Sequence, residues 1–239
     1  MASSSEYLRD INTFIKTISD NHLLTQDFEK SHGAFENQGN ASTQTISITS
    51  TEGEVNSGIG ALKLLAQDAT GAGTMKTVRC DWRAAINYAD RFRFTCIFQV
   101  PFVETNWHEI LFGFYRYENP TGGSILLKFD SNLGVSNELY LINEAGSYVS
   151  VAGWDTDYFP DSAAVFPWHR LEMILNFSAG NAHVENINFS GRDFTPQVDS
   201  GDQFSLAREP HMTIFAQFGN DADNTARHMI IDKILWEKL

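Results

Sequence analysis

The stretch Trp168 to Phe194, WHRLEMILNFSAGNAHVENINFSGRDF, constrains the fold more than any other part of the chain. Two runs of strand-forming residues flank the turn Ser178-Ala179-Gly180-Asn181, and the turn Ser190-Gly191-Arg192-Asp193 ends the second run, the pattern of a β-hairpin. Successive side chains alternate across a strand. His169, Leu171, Met173, Leu175 and Phe177 therefore share one face, and Trp168, Arg170, Glu172 and Asn176 the other. A sheet with one apolar face has to bury that face against something.

The same period of two recurs along the chain. In Phe92 to Val100, the residues Phe92, Phe94, Cys96, Phe98 and Val100 alternate with Arg93, Thr95, Ile97 and Gln99. Shorter strand-like runs follow the turn signals before and after it, from Leu23 to the closing run His228–Trp236. About a dozen strands at short spacing, with no βαβ alternation and no internal repeat, predict an all-β chain closed as a two-sheet antiparallel sandwich. Ahead of the strands, Ser3 and Glu6 have capping-box spacing, and Tyr7, Ile11, Phe14, Ile15 and Ile18 recur at helical intervals up to Asp20-Asn21. The expectation is a short amphipathic helical arm over residues 1–20, then one sandwich domain over 21–239. A helix that short needs its apolar stripe covered, by the sandwich or by a second copy in a homo-oligomer.

The formal charge of −13 and pI near 4.8 disfavour non-specific binding to nucleic acid or to anionic membranes, because a net-acidic surface cannot neutralise phosphate. The opening MASSSEYLRD has no basic start followed by an apolar segment, and no run reaches the length of a membrane span. The default placement is cytoplasmic, with secretion open if a leader has been removed. Cys80 and Cys96, the two cysteines, lie in strand-like runs without metal or redox spacing and read as buried thiols. Seven scattered histidines offer no zinc pair.

Four pieces, taken in order, resemble a known family. Asp27-Phe28-Glu29 comes first, and Ser57-Gly58-Ile59-Gly60-Ala61-Leu62-Lys63-Leu64 resembles a small-residue turn before an "SLKL"-like strand. Trp168-His169-Arg170-Leu171-Glu172 is similar to a "WHRLEI"-like strand, and Ile230-Ile231-Asp232-Lys233-Ile234 to an "IDNV"-like last strand. Over residues 23–239 the chain resembles the concanavalin A-like lectin/glucanase superfamily, which includes legume lectins, carbohydrate-binding modules, β-glucanases and polysaccharide lyases. The resemblance implies a jelly-roll sandwich with an oligo- or polysaccharide as partner. It leaves binding and catalysis both open, because one fold hosts many functions.

The β-glucanases of this superfamily carry paired carboxylates as Glu-x-Asp-x-x-Glu, and its lyases commonly carry Gln-x-His with an Arg-bearing strand and a late Tyr. Neither motif occurs, so a non-catalytic, lectin-like protein is the leading expectation. Its ligand residues would be loop aromatics with polar neighbours: Trp107 and Glu109, and Trp154, Asp155, Asp157 and Tyr158. The competing reading of Trp154 and Phe159 is that they plug the end of the sandwich. The alternative enzyme, a lyase or glycoside hydrolase, would use a sheet face carrying Tyr115, Arg116, His169, Arg170 and Glu172. A third reading is an assembly module joined through the N-terminal helix. The resemblance also implies a structural Ca2+ between an early acidic residue and the last strand, which Asp27, Glu29 and Asp232 match, with the Asp221/Asp223/Asn224 loop as a second candidate.

Overall fold

A computed structural model describes residues 22–26, 28, 36–39, 43–51, 56, 60–67, 75–85, 91–103, 107–117, 121–131, 138–142, 147–154, 158–159, 166–177, 183–194, 202–205, 211–220 and 225–239. The expected helical arm over residues 1–20 lies outside them, as do Asp27, Glu29, Asp155, Asp157 and the 221–224 loop. Sixteen strands are described: β1 (His22–Gln26), β2 (Glu36–Gly39), β3 (Thr43–Thr49), β4 (Ala61–Gln67), β5 (Lys76–Ala85), β6 (Arg91–Gln99), β7 (Trp107–Tyr117), β8 (Thr121–Asp130), β9 (Glu138–Ile142), β10 (Tyr148–Ser150), β11 (His169–Asn176), β12 (His183–Phe189), β13 (Arg192–Phe194), β14 (Asp202–Ser205), β15 (His211–Asn220) and β16 (Arg227–Lys238). Among the described residues no helix is long and apolar enough to cross a membrane.

The strands form two eight-stranded sheets with antiparallel pairing. Sheet 1 runs β13-β12-β11-β6-β16-β4-β3, with β1 also on β16, and sheet 2 runs β10-β9-β8-β7-β15-β5-β2, with β14 also on β8. The expected hairpin is present: β11 pairs with β12, and the even-numbered partner faces of β6 and the odd-numbered faces of β11 point inward together, with Leu171 opposite Cys96 and Met173 opposite Phe94. Ser190 (φ 51°) and Gly191 (φ 90°) supply the two positive φ angles that a two-residue type I′ turn requires between β12 and β13.

Phenylalanines knit the sheets together. Phe94 of sheet 1 meets Phe114 of sheet 2 edge-on at 4.8 Å, Phe98 meets Phe112 at 5.4 Å, and Trp236 packs on Phe92, Phe94 and Phe114. Cys80 and Cys96 are buried free thiols, one in each sheet, and burial pushes both above the ordinary thiol range. The strand β1 closes at Gln26. Phe28 then takes a left-handed backbone (φ 57°), which bulky residues rarely adopt, while its ring stays fully buried against Trp82.

Two bulges interrupt the alternation. On β7 the pairing with β15 slips between Glu109, opposite Gly219, and Trp107, opposite Asn220. Trp107 and Ile110 therefore both enter the core, while Glu109 points out. Ser131 holds the irregular turn: its amide donates to His108 O at 3.0 Å and its hydroxyl to Trp107 O. On β16 the pairing with β6 slips between Ile231 and Lys233, so the inward set changes from Met229 and Ile231 to Ile234 and Trp236. Strict alternation would have placed Asp232 between Ile230 and Ile234 on one face; the bulge at Asp232 puts these two isoleucines on opposite faces.

Candidate functional site

The two outer faces of the sandwich differ in chemistry. The outer face of sheet 1 carries pairs such as Arg91 with Glu185, Arg93 with Glu237, and Arg170 with Glu172. These are solvated surface pairs, worth little individually. Arg91 holds the Glu185 carboxyl below the ordinary range by its hydrogen bond, with Asn176 adding a second.

The outer face of sheet 2 is polar and aromatic at once. The register places Arg79 of β5, Gln217 of β15, Leu111 of β7, Lys128 of β8 and Tyr140 of β9 in one row across five strands. The next row contains Gly219, Glu109, Asp130 and Glu138. On the other side lie Asp81, Phe215 and Gly113. Arg79 grips Asp81 with two bonds, Nε to Oδ1 at 2.6 Å and Nη2 to Oδ2 at 3.1 Å, and its guanidinium carbon sits 3.7 Å from the centre of the Phe215 ring. Tyr115 also stacks on that ring, centroid to centroid at 5.7 Å and 23°. Gln217 Nε2 donates to Glu109 Oε1 at 2.8 Å. Lys128 Nζ lies 2.5 Å from Asp130 Oδ2, 4.1 Å over the Tyr148 ring and 5.4 Å from the Tyr140 ring.

Glycine makes this layer possible. A β-carbon on Gly113 would fall 1.8 Å from Phe215 Cε1, and one on Gly219 would fall 2.6 Å from Glu109 Cγ. Both side chains lie flat across a neighbouring strand because no Cβ is there. Exposure rises across the face, from Phe215 at 1% to Tyr148 at 45%. Burial holds the Tyr148 hydroxyl above the ordinary phenol range, against the opposing pull of Lys128.

The expected site residues separate. Glu109 is on this face, but Trp107 is buried in the core, edge-on to Phe159 at 5.0 Å. Trp154 is half-buried and packs among the rings of Phe129, Phe189, Phe194 and Tyr158. Among the alternative enzyme residues, Tyr115 is on the outer face of sheet 2, whereas Arg116 points inward and donates from Nη1 to Phe177 O at 3.1 Å. His169 is in the core, stacked on Phe189 at 5.0 Å and 22°, and burial lowers its pKa to about 4. Arg170 and Glu172 bond each other at 2.6 Å on sheet 1. The five do not share a face.

Asp232 is 1% exposed, and its Oδ1 accepts a hydrogen bond from Asn56 N at 3.0 Å. Among the described residues no group of three or more His, Cys, Asp or Glu is placed to hold a metal ion.

Sequence reasoning passed over Arg79, Asp81, Lys128, Asp130, Phe215 and Gln217. One signal was present: Arg79-x-Asp81 and Lys128-x-Asp130 each put opposite charges on the same side of a strand. Arg170-x-Glu172 on sheet 1 has the same form, so the signal does not select the sheet.

No family model and no curated protein matches the sequence. Solved structures do match. An endo-β-1,4-glucuronan lyase from the fungus Trichoderma reesei aligns with a TM-score of 0.60 at 12% identity, over 91% of this chain and 96% of its own. A family 16 endo-glucanase from Bacteroides ovatus aligns at 0.49 with 13% identity, over 90% and 99%, and lectin II from Ulex europaeus at 0.49 with 13% identity, over 90% and 98%. At these identities the likeness is one of architecture, and the architecture of this chain is the concanavalin A-like jelly-roll sandwich.

Proposed function

We propose that this protein binds an oligo- or polysaccharide along the outer face of sheet 2 and holds it without cleaving it. The observation that carries the reading is the outer face of sheet 2, on which the row from Arg79 to Tyr140 sets the hydrogen-bonding side chains of Arg79, Gln217 and Lys128 beside the rings of Phe215, Tyr140 and Tyr148. Sugar recognition needs that mixture, rings against the apolar side of a pyranose and amides or carboxylates for its hydroxyls. Glu109 is the sequence candidate that this reading keeps. The polar groups are engaged with one another, Arg79 with Asp81, Gln217 with Glu109 and Lys128 with Asp130, an arrangement suited to holding a ligand.

The test is affinity electrophoresis through polysaccharide-containing gels, comparing the natural protein with Tyr148→Ala and Glu109→Gln. Both variants should lose retardation, and Tyr148→Ala should do so at an unchanged melting temperature because the ring is exposed. Unchanged retardation of both would remove the site.

A lyase is the second reading, favoured by Arg79 and Tyr115 facing the same side of sheet 2. Unsaturated chain ends accumulating from a uronan would establish it, and new reducing ends from a neutral glycan would establish a hydrolase.

A structural calcium at Asp232, with Asp27 and Glu29, is carried as a further part of this proposal. Its support is a carboxylate buried in the last strand at a bulge, where an ionised group needs compensation. Chelation should then lower the melting temperature.

A further inference from the structure

We infer that the glycan taken by the outer face of sheet 2 is uncharged, an inference that rests on the carbohydrate-binding reading above. The argument is a charge balance made residue by residue. Among the described side chains on this face the cations are Arg79 and Lys128, each with a carboxylate two residues along its own strand; the register also sets Arg83 opposite Thr213 on this face, against the acidic positions Glu36 opposite Asp81 and Asp202 opposite Ser124, so the face stays net acidic. The guanidinium of Arg79 spends Nε and Nη2 on Asp81, and its flat side covers Phe215. The ammonium of Lys128 is enclosed by Asp130, Tyr148 and Tyr140. Two more carboxylates face the same way: Glu109, bonded to the neutral amide of Gln217, and Glu138, which accepts from Ser150 Oγ at 2.9 Å.

A uronate carboxylate arriving here would meet compensated cations and two carboxylates with only neutral partners. It would lose its hydration without gaining an ion pair, and like charges set side by side oppose binding. The hydroxyls of a neutral pyranose are donors, and this face is rich in acceptors. The face thus selects against the acidic polymer class even though the glucuronan lyase shares its fold.

The experiment uses matched ligands: neutral glucans, mannans, galactans and xylans, the hexose polymers each paired with its C6-oxidised uronan, titrated into the full chain by calorimetry at low and high salt. Binding of a neutral polymer, at least about tenfold tighter than its oxidised partner and insensitive to salt, is the expected result. Tighter binding of an oxidised partner at low salt would overturn the inference and leave the carbohydrate reading standing. Binding of neither class would overturn both. A gain-of-function arm guards against misfolded variants: Asp130→Asn frees Lys128 and should raise uronan affinity by about tenfold at low salt. No gain in a variant that melts like the natural protein would also count against the inference.

Discussion

Replacing Gly113 with alanine probes how the outer face of sheet 2 is built. The added β-carbon would lie 1.8, 2.1 and 2.6 Å from Cε1, Cζ and Cδ1 of Phe215, so the ring has to leave its contacts with Arg79 and Tyr115. Overpacking of this kind costs about 1–3 kcal/mol. Removing a strand-interior glycine returns about 0.5–1 kcal/mol through the unfolded chain. A net loss of about 1–2 kcal/mol is expected, read as a lower urea midpoint at unchanged slope, together with weakened glycan retention. The reasoning is specific about the cause, so a double-mutant cycle decides it. In a Phe215→Ala background the clash is gone, and Gly113→Ala should be neutral or slightly stabilising. An equal cost in both backgrounds would refute the account.

Three other outcomes follow from particular positions. The unfolded His169 titrates near its ordinary value of about 6.5 and the folded one at about 4 because of burial. Between these values only the unfolded state takes the proton, so stability should fall as pH drops through this window, by about 3 kcal/mol in total. His169→Phe should flatten that part of a stability-versus-pH curve; an unaltered curve would show that another group is responsible. Trp107→Ala should cost about 3–5 kcal/mol of stability in denaturant melts, because the indole is in the core. A stability-neutral Trp107→Ala that abolished sugar binding would instead restore the loop-site reading. Arg170→Ala, breaking an exposed pair with Glu172, should stay within about 1 kcal/mol of the natural protein, and a larger drop in midpoint would mean that sheet 1's outer face is more than a solvated surface.

Where the alternation of side chains is a property of one strand, it was legible in the residues. Phe92 to Val100 and His169 to Phe177 put the expected side chains inward, both cysteines are buried, and the turn expected over Ser190-Gly191-Arg192-Asp193 is made by Ser190 and Gly191 alone, with Arg192 and Asp193 already in β13. Bulges were not legible. A bulge is a mismatch between two partners, and nothing in WHEI or in IIDK reveals which strand will lie alongside; yet the bulge in β7 sends Trp107 into the core and Glu109 out, and the one in β16 separates Ile230 from Ile234.

The outer face of sheet 2 was hidden for the same reason on a larger scale. Arg79, Glu109, Lys128 and Gln217 are remote in the chain and meet only because β5, β15, β7 and β8 are neighbours in the sheet. Composition and local period determined that this protein is an all-β sandwich with one apolar face per sheet, since burial of alternating side chains is a short-range demand. Which outer face would carry rings and paired charges was decided by strand order and register, which depend on contacts between distant segments and exist only in the folded molecule.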